Sequence, residues 1–160
     1  HLARRPESAQ ALWLVASGAP YWAAFPAPQR YALPPLYRFM AWLSRVRGVL
    51  PGRRLRFAGN EAPGVIDDWS RSGLTGRYRA AGLDADLDAD LARVDVPVRA
   101  ACLQADWLGP PSSLHFLLSK LATSAPAVTS LDTAALGVPA DHFAWMKRPD
   151  AVTAWLTARD

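Results

Sequence analysis

The run Ala11-Leu12-Trp13-Leu14-Val15-Ala16 limits the fold more than any other feature of this chain. It is of strand length, it does not alternate between apolar and polar residues, and Ser17-Gly18-Ala19-Pro20 ends it. Such a run predicts a strand buried on both faces, the condition of strands in a parallel sheet. Residues 96–103, Val96-Pro97-Val98-Arg99-Ala100-Ala101-Cys102-Leu103, give a second buried strand, with Pro97 tolerated at its first residues. Ala127-Val128-Thr129-Ser130-Leu131 gives a third, short and β-branched.

Between the second and third strands, Leu114, Leu117, Leu118 and Leu121 recur at helical spacing. This predicts a helix opened by Ser112-Ser113 and stopped by Pro126. A loop around Gly137 and Pro139 then leads to Asp141-His142-Phe143, and residues 151–158 read as a closing helix. The order of strand, excursion, strand, helix, strand, helix is α/β organisation.

The excursion has a different character. Pro20, Pro26, Pro28, Pro34, Pro35, Pro51 and Pro63 break it into pieces and argue against long regular elements. Leu36, Phe39, Met40, Leu43 and Val46 predict one amphipathic helix between Pro35 and Gly48. A second, shorter helix is predicted over residues 65–71, with Asp67 and Asp68 early in it, where negative charge suits the helix dipole. The acidic run of residues 84–91 resembles a calcium loop only superficially, lacking the glycine and terminal glutamate that such a loop requires. No metal or cofactor site is read anywhere in the chain.

Composition narrows the classes further. With 160 residues and 51% hydrophobic content, the chain can bury a real core. No stretch approaches the roughly 18 apolar residues of a membrane span, and no secretory signal opens the chain. The expectation is therefore a protein without a membrane partner. The lone Cys102 fits a reducing, cytoplasmic setting and lies in an apolar run, so a buried, inert thiol is expected. Net charge is +4, from an arginine excess densest at Arg45, Arg47, Arg53, Arg54 and Arg56. No zinc spacing, helix-turn-helix pattern or aromatic ribonucleoprotein motif accompanies that cluster, so it reads as a solvated turn and not as a nucleic-acid site.

Ligands of an open parallel sheet gather at the carboxyl ends of its strands. That rule selects Ser17-Gly18, Asp106 and His142. The order strand, Asp, helix, strand, His, helix resembles the end of the α/β-hydrolases, whose triad runs Ser, then Asp or Glu, then His. Gly64-Val65-Ile66-Asp67-Asp68-Trp69 with Arg77-Tyr78, Val96-Pro97-Val98 and His142-Phe143 are similar to a bacterial family of predicted α/β-hydrolases, over nearly the whole chain. The resemblance implies that residues 1–20 and 94–160 form the C-terminal part of a hydrolase sheet, about three parallel strands. It implies that residues 21–93 form a helical lid, and that Asp106 is the triad acid and His142 the general base. His115, inside the predicted helix, reads as structural.

One part of the family pattern is missing. A nucleophile elbow has the form Gly-x-Ser-x-Gly between strand and helix. Ser17 lacks the first glycine, and Ser70 and Ser72 lie in the excursion with no strand before them. The strands that carry the elbow and the oxyanion hole are not recognised either. The expectation is the C-terminal portion of a serine hydrolase with esterase-like acyl hydrolysis, its nucleophile outside this chain. The alternative is a non-catalytic remnant that serves as a binding or interaction domain. The aromatic residues Tyr21, Trp22, Phe25, Tyr31, Tyr37, Phe39 and Trp42 suit a pocket for an apolar, ester-like small molecule and suit a lid core equally. The run of residues 12–16 would leave an open, uncharged sheet edge, so pairing with a missing N-terminal half or with another copy is expected.

Overall fold

The computed structural model describes residues 4–55, 59–123 and 125–158; Arg56, of the arginine cluster, lies outside them. The elements run β1 (Leu12–Val15), α1 (Gln29–Arg47), β2 (Leu50–Pro51), α2 (Gly52–Leu55), β3 (Asn60–Glu61), α3 (Pro63–Thr75), α4 (Leu87–Leu91), β4 (Val98–Leu103), α5 (Pro111–Leu118), β5 (Ala127–Leu131), α6 (Thr133–Leu136) and α7 (Asp150–Thr157). The chain divides into two compact units, one of residues up to Ala19 with those from Ala89 onward, the other Pro20–Asp88.

The first unit is α/β. Its three strands form a parallel sheet in the order β1-β4-β5, with Leu12 opposite Val98 and Leu103 opposite Leu131. Central β4 is buried along nearly its whole length. Its side chains alternate between two cores, as the period of two requires. Val98, Ala100 and Cys102 pack with Leu114 and Leu118 of α5, while Ala101 and Leu103 pack with Leu131, Leu136 and Val152 on the other face. Helices therefore cover both faces of the central strand. The Cys102 thiol is buried among these residues, and burial pushes its pKa up, helped by the nearby Asp106 charge.

β1 differs from expectation. Leu12, Leu14 and Val15 are only partly buried and Trp13 is 53% exposed, so the strand is not enclosed on both faces. Among the described residues β1 hydrogen-bonds to β4 alone. An edge strand has fewer neighbours to cover its side chains, whatever its apolar content.

The predicted helix of residues 112–121 begins at Pro111, where a missing N–H costs nothing, and ends at Leu118, well before Pro126. The chain tightens there: the N–H groups of Lys120 and Leu121 each bond to a carbonyl three residues back. The first unit also takes in Ala89 to Arg93, read above as the end of the excursion. Asp90 is buried there and paired with Arg4 and Arg93.

The second unit is built on α1 packed against α3. α1 is 19 residues long and carries Pro34 and Pro35 inside it, which corrects both its predicted start and the expectation that prolines forbid a long element here. Each proline removes one donor, and the carbonyls left over belong to Arg30 and Tyr31, in the largely exposed N-terminal turns. Packing holds the rest: Tyr37, Met40, Ala41 and Ser44 are buried at helical spacing. The Tyr37 ring meets Trp69 edge-on at 4.8 Å, and Ser70 Oγ donates to the Tyr37 carbonyl. Gly73 lets the helices approach so closely, since a Cβ there would stand 2.4 Å from the Tyr37 ring. α3 starts two residues earlier than predicted, so Asp67 and Asp68 fall in its second turn rather than at the dipole. Asp67 instead pairs with Arg45 of α1, and Asp68 with Arg71 and the Ala81 N–H. Those bonds, led by the Ala81 N–H, lower the Asp68 pKa.

Candidate active site

Asp106 and His142 meet. β4 delivers Asp106 three residues past its last residue, and the segment after β5 and α6 delivers His142. The imidazole Nδ1 lies 2.8 Å from Asp106 Oδ2. The carboxylate is shut off from solvent, whereas the imidazole is 30% exposed.

Local chemistry fixes each partner. Asp106 Oδ1 accepts from the backbone N–H groups of Leu108 and Gly109, at 2.9 and 2.8 Å. This turn, closed by aspartate on its own following backbone, holds the carboxylate in one orientation. Gly109 leaves room for this carboxylate: a Cβ would crowd Asp106 Oδ2 at 3.1 Å and lie 3.6 Å from the backbone of Ala16. The two strand-end segments are also tied by their backbones, since Gln104 N–H donates to the Leu131 carbonyl and Ala105 N–H to that of Ala140.

His142 sits in a second turn of the same kind. Asp141 Oδ1 accepts from the N–H groups of Phe143 and Ala144, at 2.9 and 2.7 Å, and those bonds hold the Asp141 carboxyl below the usual range. Trp145 Nε1 donates to the His142 carbonyl at 3.1 Å, and Phe143 meets the imidazole edge-on. An open depression of about 390 Å3, lined by Trp107, Asp141, His142, Phe143, Ala144 and Lys147, adjoins the ring.

A carboxylate accepts but does not donate, so the shared proton resides on Nδ1. In the neutral imidazole Nε2 then keeps its lone pair. A base held this way can take a proton from a hydroxyl and return it to a leaving group.

The third strand-end position behaves differently. Ser17 Oγ donates to the Val15 carbonyl of its own strand, Ala16 has a positive φ of 47°, and Gly18 packs against Ser113 of α5. Ser70 and Ser72 are buried in α3, their hydroxyls bonded to the carbonyls of Tyr37 and Asp68. His115 is on the exposed face of α5. Among the described residues no group of three or more His, Cys, Asp or Glu side chains is placed to hold a metal, and no helix is long and apolar enough to cross a membrane.

Sequence reasoning reached Asp106 and His142 but not the groups that hold them. The spacing Asp106-x-x-Gly109, and Asp141 directly before the histidine, are the signals that carry them. Compared with protein-family models, curated proteins and solved structures, the chain matches none.

Proposed function

We propose that Asp106 and His142 are the acid and base of a catalytic triad in the C-terminal portion of an α/β-hydrolase, with esterase-like acyl hydrolysis as the reaction. One observation carries this reading. A fully buried carboxylate, fixed by two backbone donors, holds a partly exposed imidazole through Nδ1 at the carboxyl ends of two adjacent parallel strands. Structural Asp–His pairs do not require the outer nitrogen to remain accessible; general-base catalysis does.

In this role Asp106 fixes the tautomer of His142 and stabilises its charged form, while Nε2 takes the proton of a serine hydroxyl attacking an acyl carbon. The serine comes from outside these 160 residues. A strand carrying it would pair with the free side of β1, and the unit of Pro20–Asp88 would serve as a lid. The substrate is then a small apolar ester, met by Trp107 and Phe143, which stand 62% and 57% exposed. A second reading, a non-catalytic hydrolase-like domain that binds a partner, is favoured by one fact: the chain has no serine in a Gly-x-Ser-x-Gly setting.

Fluorophosphonate labelling separates the two. The 160-residue chain alone is expected to remain unlabelled. A polypeptide that also contains the strand adjoining β1 should label at one serine, and His142→Ala should abolish that labelling while leaving the fold intact. Labelling of a serine within the 160 residues, or labelling of the longer polypeptide that survives His142→Ala, would contradict the proposal.

A further inference from the structure

Among the described residues the helix α1 has two apolar faces, one packed on α3 and one exposed. Tyr37, Met40, Ala41 and Ser44 face α3. On the opposite side Tyr31, Pro35, Phe39, Trp42 and Val46 succeed one another at intervals of three and four residues. At 3.6 residues per turn these positions form one stripe along the length of the helix. Its large members are open to solvent, Tyr31 at 70%, Trp42 at 56% and Val46 at 65%. Phe39 and Trp42 touch, with ring centroids 5.8 Å apart, so this part of the stripe is a continuous aromatic surface.

Charge on α1 itself is one-sided. α1 contains Arg30, Arg38, Arg45 and Arg47 and no acidic residue. The whole stretch from Ser8 to Asn60 contains seven arginines and neither aspartate nor glutamate. By helical position Arg38 borders one side of the stripe and Arg47 the other; Arg45, beside Arg38, is paired with Asp67 of α3, and Arg53 and Arg54 share with Arg47 a depression beyond the helix end. An apolar face bordered by arginines, in a segment free of acidic charge, is the pattern of a helix that lies in the plane of a membrane surface. A nucleic acid would take the arginines but leave the aliphatic and aromatic stripe in water.

We infer that the exposed face of α1 docks on an anionic lipid surface, with Phe39, Trp42 and Val46 inserted among the acyl chains and the flanking arginines on the headgroup phosphates. The expectation of no membrane partner rested on the absence of a spanning segment, and a helix lying on the surface needs none. The full length of the stripe was not legible in the sequence, because Pro34 and Pro35 seemed to delay the start of the helix until after Tyr31. This inference is independent of the hydrolase proposal.

The test is co-sedimentation of the 160-residue chain with vesicles of phosphatidylcholine alone, or containing about 30% phosphatidylglycerol. Binding to the anionic vesicles is expected to exceed that to neutral ones by roughly tenfold or more and to fall as salt shortens the screening length. Phe39→Ser with Trp42→Ser should remove it, and circular dichroism should show the helix intact because both side chains are exposed. Arg38→Glu with Arg47→Glu should weaken it by a further independent route, roughly tenfold or more. Absence of binding to anionic vesicles, or unchanged binding by the Phe39, Trp42 double variant, overturns the inference. So does binding to duplex DNA in place of vesicles, or a dimer in light scattering that the double variant abolishes without any vesicle binding, which would assign the stripe to a second copy.

Discussion

Strands β1 and β4 are hydrogen-bonded neighbours with similar apolar sequences, yet their surroundings differ. β4 has a strand on each side and helices on both faces, and all but Arg99 is buried. β1 has one neighbouring strand among the described residues, and Trp13 stands exposed in its middle. An apolar run reports the environment for which a strand is suited, not the number of partners that the same chain provides. On the proposed hydrolase reading, the open side of β1 is where a strand bearing the nucleophile would pair.

The largest expected effect falls on the central strand. Leu103 is 1% exposed and packs with Leu131, Leu136 and Val152, so Leu103→Ala should lower stability by about 2–5 kcal/mol. In chemical denaturation, Leu14→Ala on partly buried β1 should cost distinctly less. Equal losses would mean that the two strands are equally enclosed in solution. Next comes the junction after β1. A Cβ at Gly18 would stand 2.0 Å from Ser113 Oγ, and Ser113 is 1% exposed and bonded to the Ala19 carbonyl. Gly18→Ala should therefore cost about 1–3 kcal/mol, read as a lowered denaturation midpoint. No loss would show that Ser113 moves freely and that the end of β1 is loosely seated.

A smaller effect sharpens the comparison at the edge. The outer side of β1 carries neither proline nor charge. Trp13→Lys should leave stability within about 0.5 kcal/mol while reducing self-association measured by light scattering. A wild-type chain that stays monomeric, with β1 amides protected from exchange, would show that this edge needs no partner. The smallest effect concerns the histidine turn. The Asp141 carboxyl is held low by the Ala144 and Phe143 N–H groups. Its contribution is thus fully present above the ordinary carboxylate pKa of about 4 and is lost as pH falls through its lowered value. The stability difference between wild type and Asp141→Ala should be constant from neutral pH down to that range and shrink below it. A difference that grows on acidification would contradict the turn.

What was legible in the sequence followed from strong local patterns. The three strands, the helix after Asp106 and the strand-end placement of Asp106 and His142 rest on apolar runs and on the rule that ligands gather at strand ends. What was not legible depends on neighbours. Pro34 and Pro35 are helix breakers by local chemistry, but α1 runs through them because its buried face packs on α3. Asp67 looked like a helix-start residue until α3 proved to begin at Pro63, which turns it toward Arg45. The exposure of Trp13 is a property of the sheet, and no window of sequence contains it.

In the proposed triad Asp106 holds His142 as the Nδ1–H tautomer, leaving Nε2 to act as a base. Nitrogen-15 NMR of the His142 ring in wild type and in Asp106→Asn tests it most directly. The wild-type ring is expected to carry its proton on Nδ1, hydrogen-bonded and at low field, with Nε2 unprotonated in the neutral ring, and the low-field proton should be lost in the variant. A wild-type ring protonated at Nε2 alone, or a spectrum that Asp106→Asn leaves unchanged, would contradict it.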